Sequence, residues 1–265
     1  MVEIFLICLA IGSLVGFLAG LLGIGGGLII VPALIKILPF VVTDKELVMP
    51  MALATSLATI VVTTVSAAIA HHINKNIPWK ETKQLMFFVG SGALLGAFIA
   101  DGLSSKTLEY FFASSVFLLS LYMFFSLRAA TEREVTSTAV YQTIAFFTGI
   151  AASLMGISGG AILIPALTFC GMSIRLAIGI STVCGMMVAL FGSFGYIISG
   201  LGHPNLPAWS LGYVYLPALL GISISSTLFA PKGVRLAARL PVRRLKKIFA
   251  SFLMLVAIEI VLTSS

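Results

Sequence analysis

Residues Phe17–Leu34 read FLAGLLGIGGGLIIVPAL, and a second stretch, Ile150–Leu167, reads IAASLMGISGGAILIPAL. Gly23 of the first falls on Gly156 of the second, Gly26-Gly27 on Gly159-Gly160, and Pro32-Ala33-Leu34 on Pro165-Ala166-Leu167. Between Gly23 and Gly27 only Ile24 is not glycine. Glycine there weakens a helix and bares backbone N–H and C=O groups that hydrocarbon cannot satisfy. Unwound backbone at membrane depth is tolerated only against protein or a water-filled cavity. A chain that carries this feature twice is therefore expected to build something around it.

The rest of the chain sets the context. Of its 265 residues 59% are hydrophobic and 9% charged, against roughly 25% charged in an ordinary soluble domain. Apolar runs recur at lengths near the ~20 residues needed to cross a bilayer, which makes the chain a polytopic membrane protein. The formal net charge of +7 is concentrated, because seven of the 16 basic residues lie within Lys232–Lys247. That segment is expected to be a cytoplasmic loop rather than a nucleic-acid surface. Cys8, Cys170 and Cys184 have no metal-ligand spacing and read as small core residues. MVEIFLICLAIGSLVG lacks the basic start of a secretory signal and is expected to remain as the first span.

Ten apolar runs can be bounded: Val2–Leu22, Leu28–Leu38, Leu47–Ala70, Leu85–Leu103, Leu108–Leu127, Val140–Met155, Ala161–Cys170, Leu176–Ser199, Trp209–Ala230 and Leu245–Thr263. The second and seventh are too short to cross as ordinary helices. The repeat divides the runs into two five-segment halves, residues 1–130 and 131–265, within one integral membrane domain. Downstream of the glycines, Ala54-Thr55-Ser56-Leu57 matches Gly179-Ile180-Ser181-Thr182, Gly96 matches Gly221, and Leu108–Ala113 matches Leu245–Ala250. If all ten segments alternate in direction and the Lys232–Lys247 loop is cytoplasmic, 13 of the 16 basic residues fall on the cytoplasmic side, leaving Lys36, Lys45 and Lys106 outside. Five crossings per half make the repeats inverted; short segments that dip and return would make them parallel. The expected fold is an all-α polytopic bundle of two repeats, inverted by preference, with a broken or half helix after each glycine motif.

Each half-helix would begin with N–H groups that lack an intrahelical partner and carry partial positive charge. Pro32 falls near the first turn, where a missing N–H costs least. Two such N-termini meeting from opposite sides make a charge-free anion site near the midplane. The alternative is a pair of glycine kinks that only permit close packing. Hydroxyls follow each half-helix, at Thr55-Ser56 and at Ser181-Thr182. They either donate to an anion or bond back to a carbonyl one turn earlier. The candidate substrate-binding set is Gly25, Gly26, Gly27, Thr55, Ser56, Ser158, Gly159, Gly160, Ser181 and Thr182. Glu259 and Asp101 lie near span ends and read as interfacial, while His71 and His72 close the third span on the cytoplasmic side, where they either titrate near neutral pH or, as is commoner for loop histidines, are only solvated. No catalytic constellation, metal cluster or cofactor motif is present in the sequence: GIGGG lacks both the GxGxxG spacing and the Lys-Ser/Thr of a phosphate loop. An enzyme is not expected.

These residues carry a resemblance. The pattern GxxxGFLAGLLGIGGGxxxVPAL at Gly12–Leu34, its weaker copy at Gly149–Leu167 and ATSL at Ala54–Leu57 resemble the sulfite exporter TauE/SafE family, also called TSUP, across the whole chain. The second copy departs from the pattern at Ala152-Ser153, Ser158 and Ile180. Asn74–Trp79, NKNIPW, lacks the glycine and acidic residue of the family's loop. The resemblance implies a secondary transporter of sulfur-containing anions such as sulfite, thiosulfate or organosulfonates including sulfoacetate, often moved out of the cytoplasm. It would sit as a multi-pass protein in the inner (plasma) membrane, with the lipid bilayer and a small sulfur anion as partners, protons as a candidate coupling ion, and no nucleic acid. A passive anion channel and a membrane scaffold or sensor are the competing readings.

Overall fold

The computed structural model describes residues 2–22, 26–73, 77–125, 137–237, 251 and 253–260. The described chain is mostly helical, with loops between the helices and one short hairpin. Its elements are α1 (Val2–Leu22), α2 (Gly27–Ile37) with a 3-10 turn at Leu38–Phe40, α3 (Lys45–Ile73), α4 (Trp79–Asp101), α5 (Ser105–Phe125), α6 (Thr138–Leu154), α7 (Gly160–Phe169) and α8 (Ile174–Gly200). There follow β1 (Ser210–Leu211), β2 (Val214–Tyr215) and α9 (Leu216–Ala237), with residues 253–260 also helical. Among the described residues, Lys45–Val65, Trp79–Asp101 and Leu176–Gly200 are long and apolar enough to cross a membrane. Helices α1, α5 and α9 have 21, 21 and 22 residues. By contrast, α2 has 11 residues and α7 has 10, about half of a ~30 Å hydrocarbon core at ~1.5 Å per residue.

The outside of this bundle is greasy. Phe87, Leu118, Phe147, Leu228 and Leu255 are each more than half exposed, a surface suited to hydrocarbon rather than water. Inside, glycines let helix backbones touch, as is usual where lipid tails and side chains are equally apolar. Gly12 packs on Ile222 and Ser225, Gly16 on Ser226, and Gly221 on Cys8, so α1 and α9 run parallel. Gly92 packs on Phe146 and Ile150, and Gly96 on Ile150 and Ser153, so α4 and α6 run parallel. Gly90 meets Phe191 while Gly195 meets Leu94 and Ala97, which makes α4 and α8 parallel as well.

Polar contacts gather several helix ends on one face. Asn205 Nδ2, just after α8, donates to Asp44 Oδ2, just before α3 (3.4 Å), so α3 and α8 run in opposite directions. On the same face the Tyr213 hydroxyl donates to Asp101 Oδ1 at the end of α4 (2.7 Å). The Ser105 N–H at the start of α5 donates to Glu46 Oε2 (2.8 Å), and Lys36 at the end of α2 pairs with Glu259. In the other half, the Tyr141 hydroxyl donates to the Cys170 carbonyl (2.9 Å), bringing the end of α7 back to the start of α6. Each short helix therefore folds back along its predecessor.

Two expected segments change. The run Trp209–Ala230 starts its helix only at Leu216, because Ser210 pairs with Tyr215 and Leu211 with Val214 in an antiparallel hairpin. Gly212 (φ 54) allows the turn to press on Ile197, and Pro217 suits the first turn of the helix that follows. The basic segment Lys232–Lys247 begins within α9, and its residues 238–247 lie outside the described part. Pro32 and Pro165 sit in the second turn of α2 and α7 rather than the first. Each removes one backbone hydrogen bond that a regular helix would make.

Candidate functional site

The site begins with two glycines in a conformation that other residues avoid. Gly26 (φ 78, ψ -18) precedes α2 and Gly159 (φ 73, ψ -12) precedes α7, both left-handed. The same sequence element thus starts both half-helices with the same backbone reversal. The Gly26 carbonyl accepts the Ile29 and Ile30 N–H groups, and the Gly159 carbonyl accepts those of Ile162 and Leu163. The N–H groups of Gly27 and Leu28, and of Gly160 and Ala161, precede the first N–H that finds an acceptor within its own helix.

The two glycine elements meet. A Cβ built on Gly27 would lie 2.6 Å from the Gly156 carbonyl oxygen and 2.9 Å from Ile157 Cα. Gly156 is itself left-handed (φ 63), and a Cβ there would lie 2.9 Å from Val31 Cγ2 and 3.0 Å from Leu53 Cα. From α3, the Ser56 hydroxyl donates to the Gly156 carbonyl (2.7 Å). One turn on, Ile60 touches Gly27. In the other half Gly185, one turn after Ser181 on α8, packs on Ser158, so α3 and α8 brace the two elements in matching ways.

The ten expected site residues divide clearly. Gly25 lies outside the described residues. Gly26 and Gly27 are buried, whereas Gly159 is buried and Gly160 half-buried. Thr55 and Ser56 are completely buried. Thr55 Oγ1 accepts the Tyr215 N–H (3.0 Å) from the hairpin, while Ser56 holds Gly156. Ser158 is buried beside the start of α7. The half-buried Thr182 donates to the Ile178 carbonyl one turn back (2.9 Å), the self-contained arrangement common for threonine in apolar helices. Ser181 Oγ is different: at 2% exposure it has no hydrogen-bond partner among the described residues, a state that costs ~1–3 kcal/mol unless something fills it.

The electrostatics of this interior are neutral. Apart from tyrosine and cysteine, every buried polar side chain among the described residues is serine or threonine. Cys8, Cys170 and Cys184 form no disulfide among the described residues. No group of three or more potential metal-ligating side chains occurs among the described residues. The donors offered to a ligand are backbone N–H and hydroxyl groups. Such donors suit an oxyanion without fixing it with a buried countercharge.

Comparison with known proteins agrees with this architecture. The family profile described as Sulfite exporter TauE/SafE matches residues 8–260. The chain belongs to the sulfite exporter TauE/SafE family. It is 41% identical over 263 residues to a probable membrane transporter protein of Haemophilus influenzae, covering 99% of this chain and 100% of that one. It is 27% identical to the probable membrane transporter protein YunE of Bacillus subtilis, over 76% of this chain and 80% of the relative. A probable membrane transporter protein of Methanocaldococcus jannaschii is 26% identical over 92% of this chain and 90% of its own length. No solved structure matches. As a TauE/SafE protein, the chain is a membrane transporter for a small substrate, and its relatives are named as transporters rather than enzymes.

Sequence reasoning about this TauE/SafE chain missed three participants. Gly156 was visible in the repeat, but its carbonyl became important only when Ser56 was seen to reach across from the other half. Tyr215 acts through its backbone, which no side-chain pattern reports. Gly185 supports Ser158 by lacking a side chain. Its only signal was a glycine in the middle of a long apolar run.

Proposed function

We propose that this protein is a secondary transporter of sulfur-containing anions, sulfite, thiosulfate or organosulfonates such as sulfoacetate. It exports them from the cytoplasm across the inner (plasma) membrane. The substrate binds between the two glycine elements, where Gly25–Gly27 and Ser158–Gly160 offer backbone N–H groups and Ser181 a hydroxyl. The observation that supports this reading is the direct apposition of Gly27 and Gly156, which sets the start of α2 against the glycine turn that leads into α7 from the other half of the chain. Protons are the proposed coupling ion.

We further infer that residues 1–130 and 131–265 are inverted repeats. Helices that match in the repeat support it: α3 and α8 run in opposite directions. The parallel pair α1 and α9 has its matched pair in α6 and α4, also parallel. Exchanging the halves turns one pair into the other. Inverted repeats bring two half-helix N-termini to a common site from opposite sides.

Purified protein in detergent, warmed in the presence of sulfite, thiosulfate, sulfoacetate, sulfate or chloride, tests the substrate class. A bound native-state ligand raises the apparent melting temperature by mass action, about 2.7 kcal/mol at a hundredfold excess over Kd. Stabilisation by a sulfur oxyanion or sulfonate but not by chloride is expected. Uniform response to all salts, or none, contradicts the proposal.

A further inference from the structure

Helix α5 begins on the face where the polar contacts gather, with the Ser105 N–H on Glu46. From there it forms one side of a groove whose other side is the helical stretch 253–260. The groove encloses about 790 Å³. Its floor is small and buried, at Ala113 and Ala257, and its walls are large and exposed, at Tyr110, Phe117 and Ile258. Along α5 it runs from Thr107 to Leu118, about 16 Å at ~1.5 Å per residue, or half of a ~30 Å hydrocarbon core. That is the depth of a single leaflet. An apolar groove of this length, open to the outside of the bundle, fits a hydrocarbon chain rather than a water-soluble solute.

The charge at one end of the groove distinguishes it from the rest of the lipid-facing surface. The Lys106 ammonium lies 5.9 Å from the centroid of the Tyr110 ring, over the groove wall, and forms no ion pair among the described residues. Beside it the exposed Ser104 and Thr107 hydroxyls bond each other (2.8 Å), which leaves one of their two hydrogens to donate elsewhere. The nearby carboxylates do not oppose an anion there: Glu259, next to Ile258, is paired with Lys36, and the half-buried Glu109 does not line the groove. A lysine at a span end reaches into the headgroup layer, and a basic pocket between membrane helices captures lipid headgroups. We infer that this groove binds one anionic phospholipid, with an acyl chain between α5 and residues 253–260 and the phosphate at Lys106. A zwitterionic headgroup would bring its own cation towards Lys106 and fits less well. The site is separate from the glycine elements and does not depend on the sulfur-anion reading.

The test places the full chain in phosphatidylcholine vesicles in which a growing fraction of the lipid is brominated phosphatidylglycerol or, in parallel, brominated phosphatidylcholine. Bromine quenches tryptophan only in contact, so an added Phe117→Trp reports from the groove wall. The constant signal of Trp79 and Trp209 is subtracted with the parent protein. Phe147→Trp, at a side chain more than half exposed on α6, reports from ordinary lipid-facing surface. Brominated phosphatidylglycerol should quench Phe117→Trp at a mole fraction roughly fivefold lower than brominated phosphatidylcholine, the preference that one lysine supplies near a membrane surface. Adding Lys106→Gln should abolish that difference, Lys106→Arg should keep it, and Phe147→Trp should show none in any background. Equal quenching of Phe117→Trp by the two lipids, or a preference that survives Lys106→Gln, overturns the site. A preference of the same size at Phe147→Trp also overturns it, because it would report a general attraction of anionic lipid to a basic protein. Absence of quenching by either lipid, with chemically crosslinked dimers in the same vesicles, would show a second copy of the chain covering the groove and would overturn it too. The readout needs no transported substrate, so its failure leaves the transport reading intact.

Discussion

Gly27 and Gly160 are the same residue of the repeat, each the first residue of a half-helix, and should respond to alanine in opposite ways. At Gly27 a new Cβ meets backbone: the Gly156 carbonyl oxygen at 2.6 Å and Ile157 Cα at 2.9 Å. Neither can yield without shifting the opposite half. At Gly160 the nearest atom is Ser158 Oγ at 3.8 Å, an ordinary contact. The gain in helix propensity from replacing glycine, at most ~1 kcal/mol, applies to both and cancels in the comparison. What remains is the overpacking at Gly27, ~1–3 kcal/mol. For a chain of this size each kcal/mol is worth about 2–4 °C in melting temperature. Thermal unfolding of the two purified variants, followed by a thiol-reactive dye or by loss of the monodisperse size-exclusion peak, should place Gly27→Ala several degrees below Gly160→Ala. Equal melting temperatures would refute the apposition of the two glycine elements.

Other consequences are narrower. Thr182→Val removes only a bond within one helical turn and should change stability by less than ~0.5 kcal/mol. Ser56→Ala leaves the buried Gly156 carbonyl without its hydroxyl donor and should cost ~1–3 kcal/mol in the same melting assay. The loop residue Tyr213 has its hydroxyl raised above the usual tyrosine range by burial, then by its hydrogen bond to Asp101 and the charge of that carboxylate. The unfolded chain then loses this proton at lower pH than the folded one. The associated stability is full below about pH 10 and declines as pH rises past it. Alkaline melting curves should show that decline, and Tyr213→Phe should flatten it.

Much of this architecture was legible in the sequence because the bilayer leaves few choices. Val2–Leu22 is bounded identically in sequence and structure, and Leu28–Leu38 and Ala161–Cys170 differ from α2 and α7 by about one residue at each end. Gly26 and Gly159 were readable because a left-handed residue in an apolar chain calls for glycine. The uses of the hydroxyls were less readable. Thr55, Ser56, Ser181 and Thr182 follow the two half-helices, and Ser56 falls on Ser181 in the repeat, yet one of the four is held by a backbone amide and one reaches across the halves. Of the other two, one bonds its own helix and one has no partner among the described residues. Those differences arise from tertiary neighbours, and no local pattern encodes them. The match of Gly96 with Gly221 also fails as a guide to packing. The register that carries Gly16 onto Gly149 sets Ser226 against the turn Val89–Ala93, since Gly16 packs on Ser226 and Gly149 on Val89 and Ala93, and no such register brings Gly221 onto Gly96. Glycine recurs so often along these faces that one identity cannot fix a register.

The central claim is that a substrate passes between the two glycine elements. Its most direct test is uptake of labelled sulfite, thiosulfate or sulfoacetate into proteoliposomes, with and without an imposed pH gradient. The parent protein is compared with Gly26→Leu and Gly159→Leu variants that still insert and elute as folded protein. The account predicts saturable, gradient-dependent flux in the parent and its loss in both variants. Undiminished flux through either variant would contradict it.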